Sequence, residues 1–293
     1  GLYRFNVAKQ WLDASGNPTD KPTPEGTKAR ITVTRTRHVY APDTGWTAET
    51  PTTKTIELDT TATYTALWAE WNETQSVYAQ YNADGTVISA WAYTYEVSEA
   101  TIDGYFGTQH LPADFPQKPE DYFTADLKDI KEVYRQPLTD TLPEVTEKNY
   151  DIEYVNVKVD KTWARFIDRD ELTFCLIQTP VVGYDADGKE IVDAQQTQYF
   201  YATQSLKGEE APEWVFTNLP KYYFTVNEAG EAVKMPYQYS IAEAWDEYGN
   251  YHGYGYQVIF SGDVQETTNG NEWGKVELPA DGGTAEIHAK NVP

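Results

Sequence analysis

Most of this chain is written in short runs whose apolar residues fall on every second position. "ARITVTRTRHVY", "WAYTYEVSE", "YVNVKVDKTW", "QTQYFYATQ", "YQYSIAEAW", "YQVIFSG" and "GTAEIHAKN" are of this kind. A period of two is that of a strand with one buried face. Turn signals such as "YNADGT", "YDADGK" and "VNEAGE" punctuate the runs. Strands of this length and spacing bury their inner faces sheet against sheet, so the sequence predicts an all-β sandwich. The 23 tyrosines and nine tryptophans agree, since aromatic side chains pack well on a pleated surface. Helical periodicity is scarce, and "TADLKDIKEVYRQ" reads as a short connecting helix.

The alternation contains an anomaly. In "FNVAKQW", Phe5, Val7, Lys9 and Trp11 share a face, which places a lysine in a buried row. About 150 residues on, "VNVKVDKTW" repeats the pattern: Val155, Val157, Val159, Lys161 and Trp163 share a face, with a lysine again two before a tryptophan. A buried, unpaired ammonium is costly, so its recurrence points to a role.

Composition removes several function classes. The net charge of −23 repels nucleic acid and anionic membrane surfaces, and no basic patch offsets it. No run approaches the roughly 18 apolar residues of a membrane span, and no signal peptide is visible. The single cysteine, Cys175, excludes an internal disulfide and a cysteine-cluster metal site, and its apolar run "LTFCLIQT" reads as core. His38, His110, His252 and His288 lack metal-ligand spacing and read as loop or surface residues. Asp185-Ala-Asp187-Gly188 lacks the distal glutamate of an EF-hand loop and reads as a hairpin turn. No metal and no cofactor are expected. "LPEVT", beginning at Leu142, resembles a sorting signal but lacks its final glycine and lies mid-chain.

The two lysine strands open two repeats. Each repeat continues with an Asn-x-x-Gly turn and an alternating aromatic strand ending in glutamate: "NADGTVISAWAYTYEVSE" and "NEAGEAVKMPYQYSIAE". Each closes on Lys-Asn, in "VTEKN" and "AEIHAKN". The order Lys, Glu, Asn is thus kept as Lys9, Glu99, Asn149 and as Lys161, Glu243, Asn291, with offsets of 152, 144 and 142 residues. Two homologous domains are expected, 1–152 and 153–293, the first with a long insertion after its acidic strand.

Parity puts at least five of these six polar residues where a core residue belongs; at Asn149 the same face also carries Glu147. A lysine, a carboxyl and a carboxamide buried together can react. Burial lowers the lysine pKa, which makes the amine nucleophilic, and raises that of the glutamate, which makes it a neutral acid able to shuttle protons. The product is a Lys-Asn isopeptide bond with loss of ammonia. The alternative is a buried Lys-Glu ion pair with asparagine as hydrogen-bond partner.

"KQW" and "KTW" near a domain start, "WVFTNLP" (Trp214 to Pro220), the Asn-x-x-Gly turn with "YSIAE", and the terminal "AKN" resemble collagen-adhesin B-type (Cna B) domains. These are stalk modules of Gram-positive surface adhesins and pilins. The resemblance spans the chain as two copies, although the first has no clear W-x-F-x-N-L-P and is long for the family. It implies two tandem inverse immunoglobulin-like β-sandwiches. It also implies cross-links Lys9–Asn149 and Lys161–Asn291, with Glu99 and Glu243 as proton shuttles, in a stalk segment on the cell wall-attached exterior of a Gram-positive bacterium. The chain begins and ends in strands, as a piece of a longer surface protein would. Its expected partners are neighbouring domains and a host or glycan ligand, and the segment is expected to be monomeric in solution.

Two other readings follow from the residues. A carbohydrate- or host-ligand-binding module would use aromatic residues of "EYGNYHGYGY", namely Tyr251, Tyr254 and Tyr256. A β-sandwich glycoside hydrolase would use Glu99 or Glu243 as catalytic acid, and needs two carboxylates facing a cleft. Each of those glutamates faces the core with a lysine and an asparagine, so turnover is not expected.

Overall fold

A computed structural model describes residues 2–64, 71, 74–137, 139–163, 171–207, 211–243, 257–268 and 273–292. The chain divides into two compact units, Gly1–Asp151 and Ile152–Pro293.

The first unit runs β1 (Asn6–Leu12), β2 (Pro18–Thr19), β3 (Ala29–Ala41), β4 (Gly45–Ala48), β5 (Thr52–Leu58), β6 (Ala62–Tyr64), β7 (Val77–Tyr81), β8 (Val87–Glu99), β9 (Tyr105–His110) and β10 (Glu144–Asp151). One sheet has the order β2-β1-β10-β9 with β6 on β1, and the other β4-β3-β8-β7 with β5 on β3. Val7 and Val145 from the first sheet, with Phe5 just before β1, meet Ile31, Val33, Tyr95 and Val97 from the second in a single core. That is the sandwich the alternation predicts: Val7, Lys9 and Trp11 of β1 are buried, and in β8 the buried set passes from Ala90, Ala92 and Thr94 to Tyr95 and Val97 on the way to Glu99.

The second unit runs β11 (Tyr154–Trp163), β12 (Glu171–Tyr184), β13 (Glu190–Val192), β14 (Gln198–Ser205), β15 (Glu213–Pro220), β16 (Tyr222–Val226), β17 (Ala232–Glu243), β18 (Gln257–Gly262), β19 (Val264–Thr268), β20 (Trp273–Val276) and β21 (Gly283–Val292). Its sheets have the orders β15-β11-β21-β18 and β13-β12-β17-β20-β19, the latter with β14 on β12 and β16 on β17. Val155, Val157, Val159, Ala285 and Ile287 pack against Phe174, Leu176 and Ile241. Trp214 closes this core, its indole N–H donating to Leu172 O at 2.9 Å.

In both units the first strand pairs in parallel with the last, β1 with β10 and β11 with β21. This pairing positions the lysine and asparagine on one sheet, while β8 or β17 brings the glutamate from the facing sheet.

The connecting helix needs correction, and other local expectations hold. "TADLKDIKEVYRQ" forms no α-helix; it makes two short 3-10 turns, Ala125–Leu127 and Glu132–Tyr134. Asp126 and Leu127 adopt φ of 58° and 54°, and Phe123 bridges Ile130, so the segment folds back on itself instead of coiling. After Glu99, Tyr105–His110 forms β9, a neighbour of β10, and the long connection lies between β9 and β10. His110 and His288 are exposed as expected, His288 with Nδ1 2.6 Å from Asp160 Oδ2, while His38 is half-buried in β3 beside Thr94 Oγ1 (2.8 Å) and His252 falls outside the described residues. The Asp185 turn is held by its own carboxylate, which accepts from Asp187 N and Lys189 N, with Gly188 at φ 79°. Cys175 is buried in β12, and burial pushes its thiol up to about 12, so it stays protonated.

Candidate functional site

The register of neighbouring strands sets out the first cluster. Lys9 on β1 lies opposite Glu147 on β10, which lies opposite Gln109 on β9. One row further, Trp11 lies opposite Asn149, which lies opposite Gly107. Glu99, the last residue of β8, enters from the other sheet.

Lys9 is fully buried and Asn149 is 2% exposed. Lys9 Nζ contacts Asn149 Oδ1 and lies 3.6 Å from Glu99 Oε2. Glu99 Oε2 has no hydrogen-bond partner among the described residues. The Trp11 ring lies under the amine, with Nζ 4.1 Å from its centroid, and Tyr105 packs edge-on against Trp11. Burial lowers the Lys9 pKa to about 8, although the Glu99 and Glu147 carboxyls work against it. Burial raises Glu99 and pushes Glu147 up to about 7. Burial thus favours the neutral amine at Lys9 and the acid form of the carboxyls beside it.

The second cluster repeats the arrangement with a different surround. Lys161 lies opposite Ala289, which lies opposite Phe260; Asn291 lies between Trp163 and Val258. Lys161 Nζ contacts both Asn291 Oδ1 and Glu243 Oε2. The Asn291 amide nitrogen donates to Glu243 Oε1 at 3.3 Å. One carboxyl thus bridges the amine and the carboxamide nitrogen, which are the two atoms between which a proton must pass if the amine displaces ammonia. All three residues are buried.

No protein-family model matches the chain, and no curated protein matches it. Among solved structures, the major pilin of Streptococcus pyogenes is similar at 15% identity over 100% of both chains, with a TM-score of 0.30. The T-13 major pilin of the same species gives 14% identity over 99% of this chain and 96% of that one, with a TM-score of 0.29. An adhesin from Mobiluncus mulieris, described as containing intramolecular disulfide, isopeptide and ester bond cross-links, gives 12% identity over 98% and 99%, with a TM-score of 0.29. The two clusters stand on their own geometry.

Each predicted triplet is brought together, Lys9 with Glu99 and Asn149, and Lys161 with Glu243 and Asn291. Tyr251, Tyr254 and Tyr256 lie outside the described residues. Sequence reasoning missed the role of Glu147, which is 4% exposed and accepts a hydrogen bond from Gln109 Nε2. Its parity with Val145 and Asn149 was the available signal: all three point inward. Nothing in the sequence marked Gln109 or Gly107, whose places depend on the β9–β10 register.

Glu147 gives a signed pH dependence. Its folded pKa is raised, so its contribution to stability is fully present below the ordinary carboxylate range and is lost as pH rises toward about 7. In a chain carrying Asn149→Ala, where no bond can form, adding Glu147→Gln should raise the melting temperature of the first unit at about pH 8 and give no gain at about pH 4. Calorimetry of the two chains at both pH values checks this.

Proposed function

We propose that this chain is a structural stalk segment of a Gram-positive surface adhesin or pilus, and that each unit locks itself with a Lys-Asn isopeptide bond. The bonds are Lys9–Asn149, assisted by Glu99, and Lys161–Asn291, assisted by Glu243. The observation that carries this reading is the Glu243 bridge: one buried carboxyl touches the attacking amine and the departing nitrogen together.

The reaction follows from that contact. Lys161 gives a proton to Glu243 and becomes a neutral amine. Its lone pair attacks Asn291 Cγ, the carboxyl gives its proton to the amide nitrogen and takes another from the attacking nitrogen, and the Cγ–Nδ2 bond breaks to release ammonia. A buried ammonium and carboxylate are replaced by a neutral amide and a neutral acid, which removes the desolvation cost of two charges. Each unit reacts once with itself, so the protein is not an enzyme with turnover. The second unit lacks the second carboxyl a hydrolase would need, with Ala289 and Phe260 where the first has Glu147 and Gln109; in the first unit Glu99 and Glu147 share a hollow with Asn149, and Lys9 Nζ contacts Asn149 and lies 3.6 Å from Glu99.

The test is the intact mass of the purified chain. The expected result is a deficit of two ammonia molecules, with peptides containing Lys9 and Asn149, and Lys161 and Asn291, recovered joined after digestion. A mass equal to that of the unmodified sequence would reduce both clusters to ordinary buried ion pairs.

A further inference from the structure

The two clusters share a triplet but not a surround. In the second unit the row beside Asn291 is filled by Val258 and Phe260, both packed on the core. In the first unit the same positions hold Gly107 and Gln109. A side chain at Gly107 would begin 3.5 Å from the Asn149 amide nitrogen and 3.8 Å from Glu99 Oε1. Its absence leaves a pocket of about 310 Å³ lined by Glu99, Tyr105, Gly107, Gln109, Glu147 and Asn149 among others. Both carboxyls and the carboxamide therefore face the same polar hollow. Gln109 fixes Glu147 by donating to its Oε1 while also donating to Val97 O.

We propose that Glu147 is a working member of the first unit's cross-linking site: it takes up the proton that the Lys9 ammonium sheds, leaving Glu99 to carry a proton from the attacking nitrogen to the departing ammonia. This rests on the isopeptide reading above and divides between two carboxyls what Glu243 does alone. The titratable groups facing Glu147 are Lys9 from β1 and Glu99 from β8. Tyr105 from β9 lines the same pocket with its hydroxyl donating to Thr23 O.

The step balances. Lys9 begins as an ammonium, Glu147 as a carboxylate and Glu99 as an acid. Lys9 and Glu147 lie opposite each other on β1 and β10, and Glu99 Oε2 lies 3.6 Å from Nζ, so Nζ gives a proton to Glu99 as Glu99 passes its own to Glu147, which leaves a neutral amine. Its lone pair forms the bond to Asn149 Cγ, Glu99 gives its proton to the amide nitrogen and receives one from Nζ, and the Cγ–Nδ2 bond breaks. The site ends with a neutral amide, two protonated carboxyls and free ammonia, which leaves through the pocket. It is electrically neutral at the start and at the end.

A pH profile separates this role from mere packing. The full chain, isolated unfolded in denaturant before any bond forms, is diluted into buffers from about pH 5 to about pH 9. Samples are quenched in acid, and the Lys9–Asn149 and Lys161–Asn291 peptides are quantified by mass over time. The first unit should close faster as pH rises through about 7, where Glu147 ionises. The second unit should lack that inflection. Glu147→Gln should abolish the inflection and slow the first unit by about tenfold or more, leaving the second unit unchanged in the same molecule. Glu147→Asp should restore the inflection. If Glu147→Gln closes with the wild-type rate and profile, or if both variants fail to close while losing native circular dichroism, the role of Glu147 is overturned and the isopeptide reading stands. If neither unit of the unaltered chain loses ammonia at any pH, the isopeptide reading itself fails and takes this role with it.

Discussion

Pulled from its two ends, the second unit should not lengthen. With the proposed cross-link in place, the load would enter along β11, cross from Lys161 to Asn291 and leave through the last residues of β21, so the strands between would never carry it. A unit carrying Asn291→Ala has no such bridge. The two residues are 130 positions apart, so its unfolding should add about 450 Å of chain at 3.3–3.6 Å per residue. Single-molecule force spectroscopy on tandem copies reads this difference directly. A wild-type trace with extension steps of that length would mean that the bond is absent or lies elsewhere.

Heat gives the second large effect. Lys9 and Asn149 are 140 positions apart, and Lys161 and Asn291 130. By the chain-entropy account of cross-links, closing a loop of either length stabilises a unit by about 5 kcal/mol. For a unit near 150 residues that corresponds to about 15 °C in melting temperature. Glu243→Ala should therefore lower the melting temperature of the second unit by at least that amount, because it removes the proton shuttle and leaves Lys161 buried without its carboxyl. The first unit should be unaffected. Glu99→Ala should have the converse effect. Resistance to trypsin should fall in the same unit as the melting temperature. Scanning calorimetry resolves the two transitions, and a drop of only a few degrees would show that no covalent tie had been lost.

Much of this was legible in the alternation of residues. Lys9 and Lys161 stood out because a strand has only two faces, and their neighbours fixed which face was buried. Glu243 and Asn291 followed by the same parity, within "YSIAE" and "AEIHAKN". What parity does not contain is register. Nothing local says that Lys9 lies beside Glu147, or that β9 runs past β10 and places Gly107 over Asn149. Those neighbours arise from strands far apart in the chain. The short 3-10 turns between β9 and β10 were misread for a related reason: the charged and apolar residues of "TADLKDIKEVYRQ" fit a helical spacing, but Tyr122 and Tyr134 pack into the sandwich core and pull the segment into a fold-back.

The parallel pairing of the first strand with the last also sets a clock. A chain made or threaded one end first presents β1 or β11 early, yet the longest partner of that strand is the last part of its unit to arrive. Contacts so distant in sequence form late. Lysine therefore cannot meet asparagine until every intervening strand has emerged. A half-delivered unit would stay threadable and open to correction, and the proposed covalent closure would be the final event of its folding.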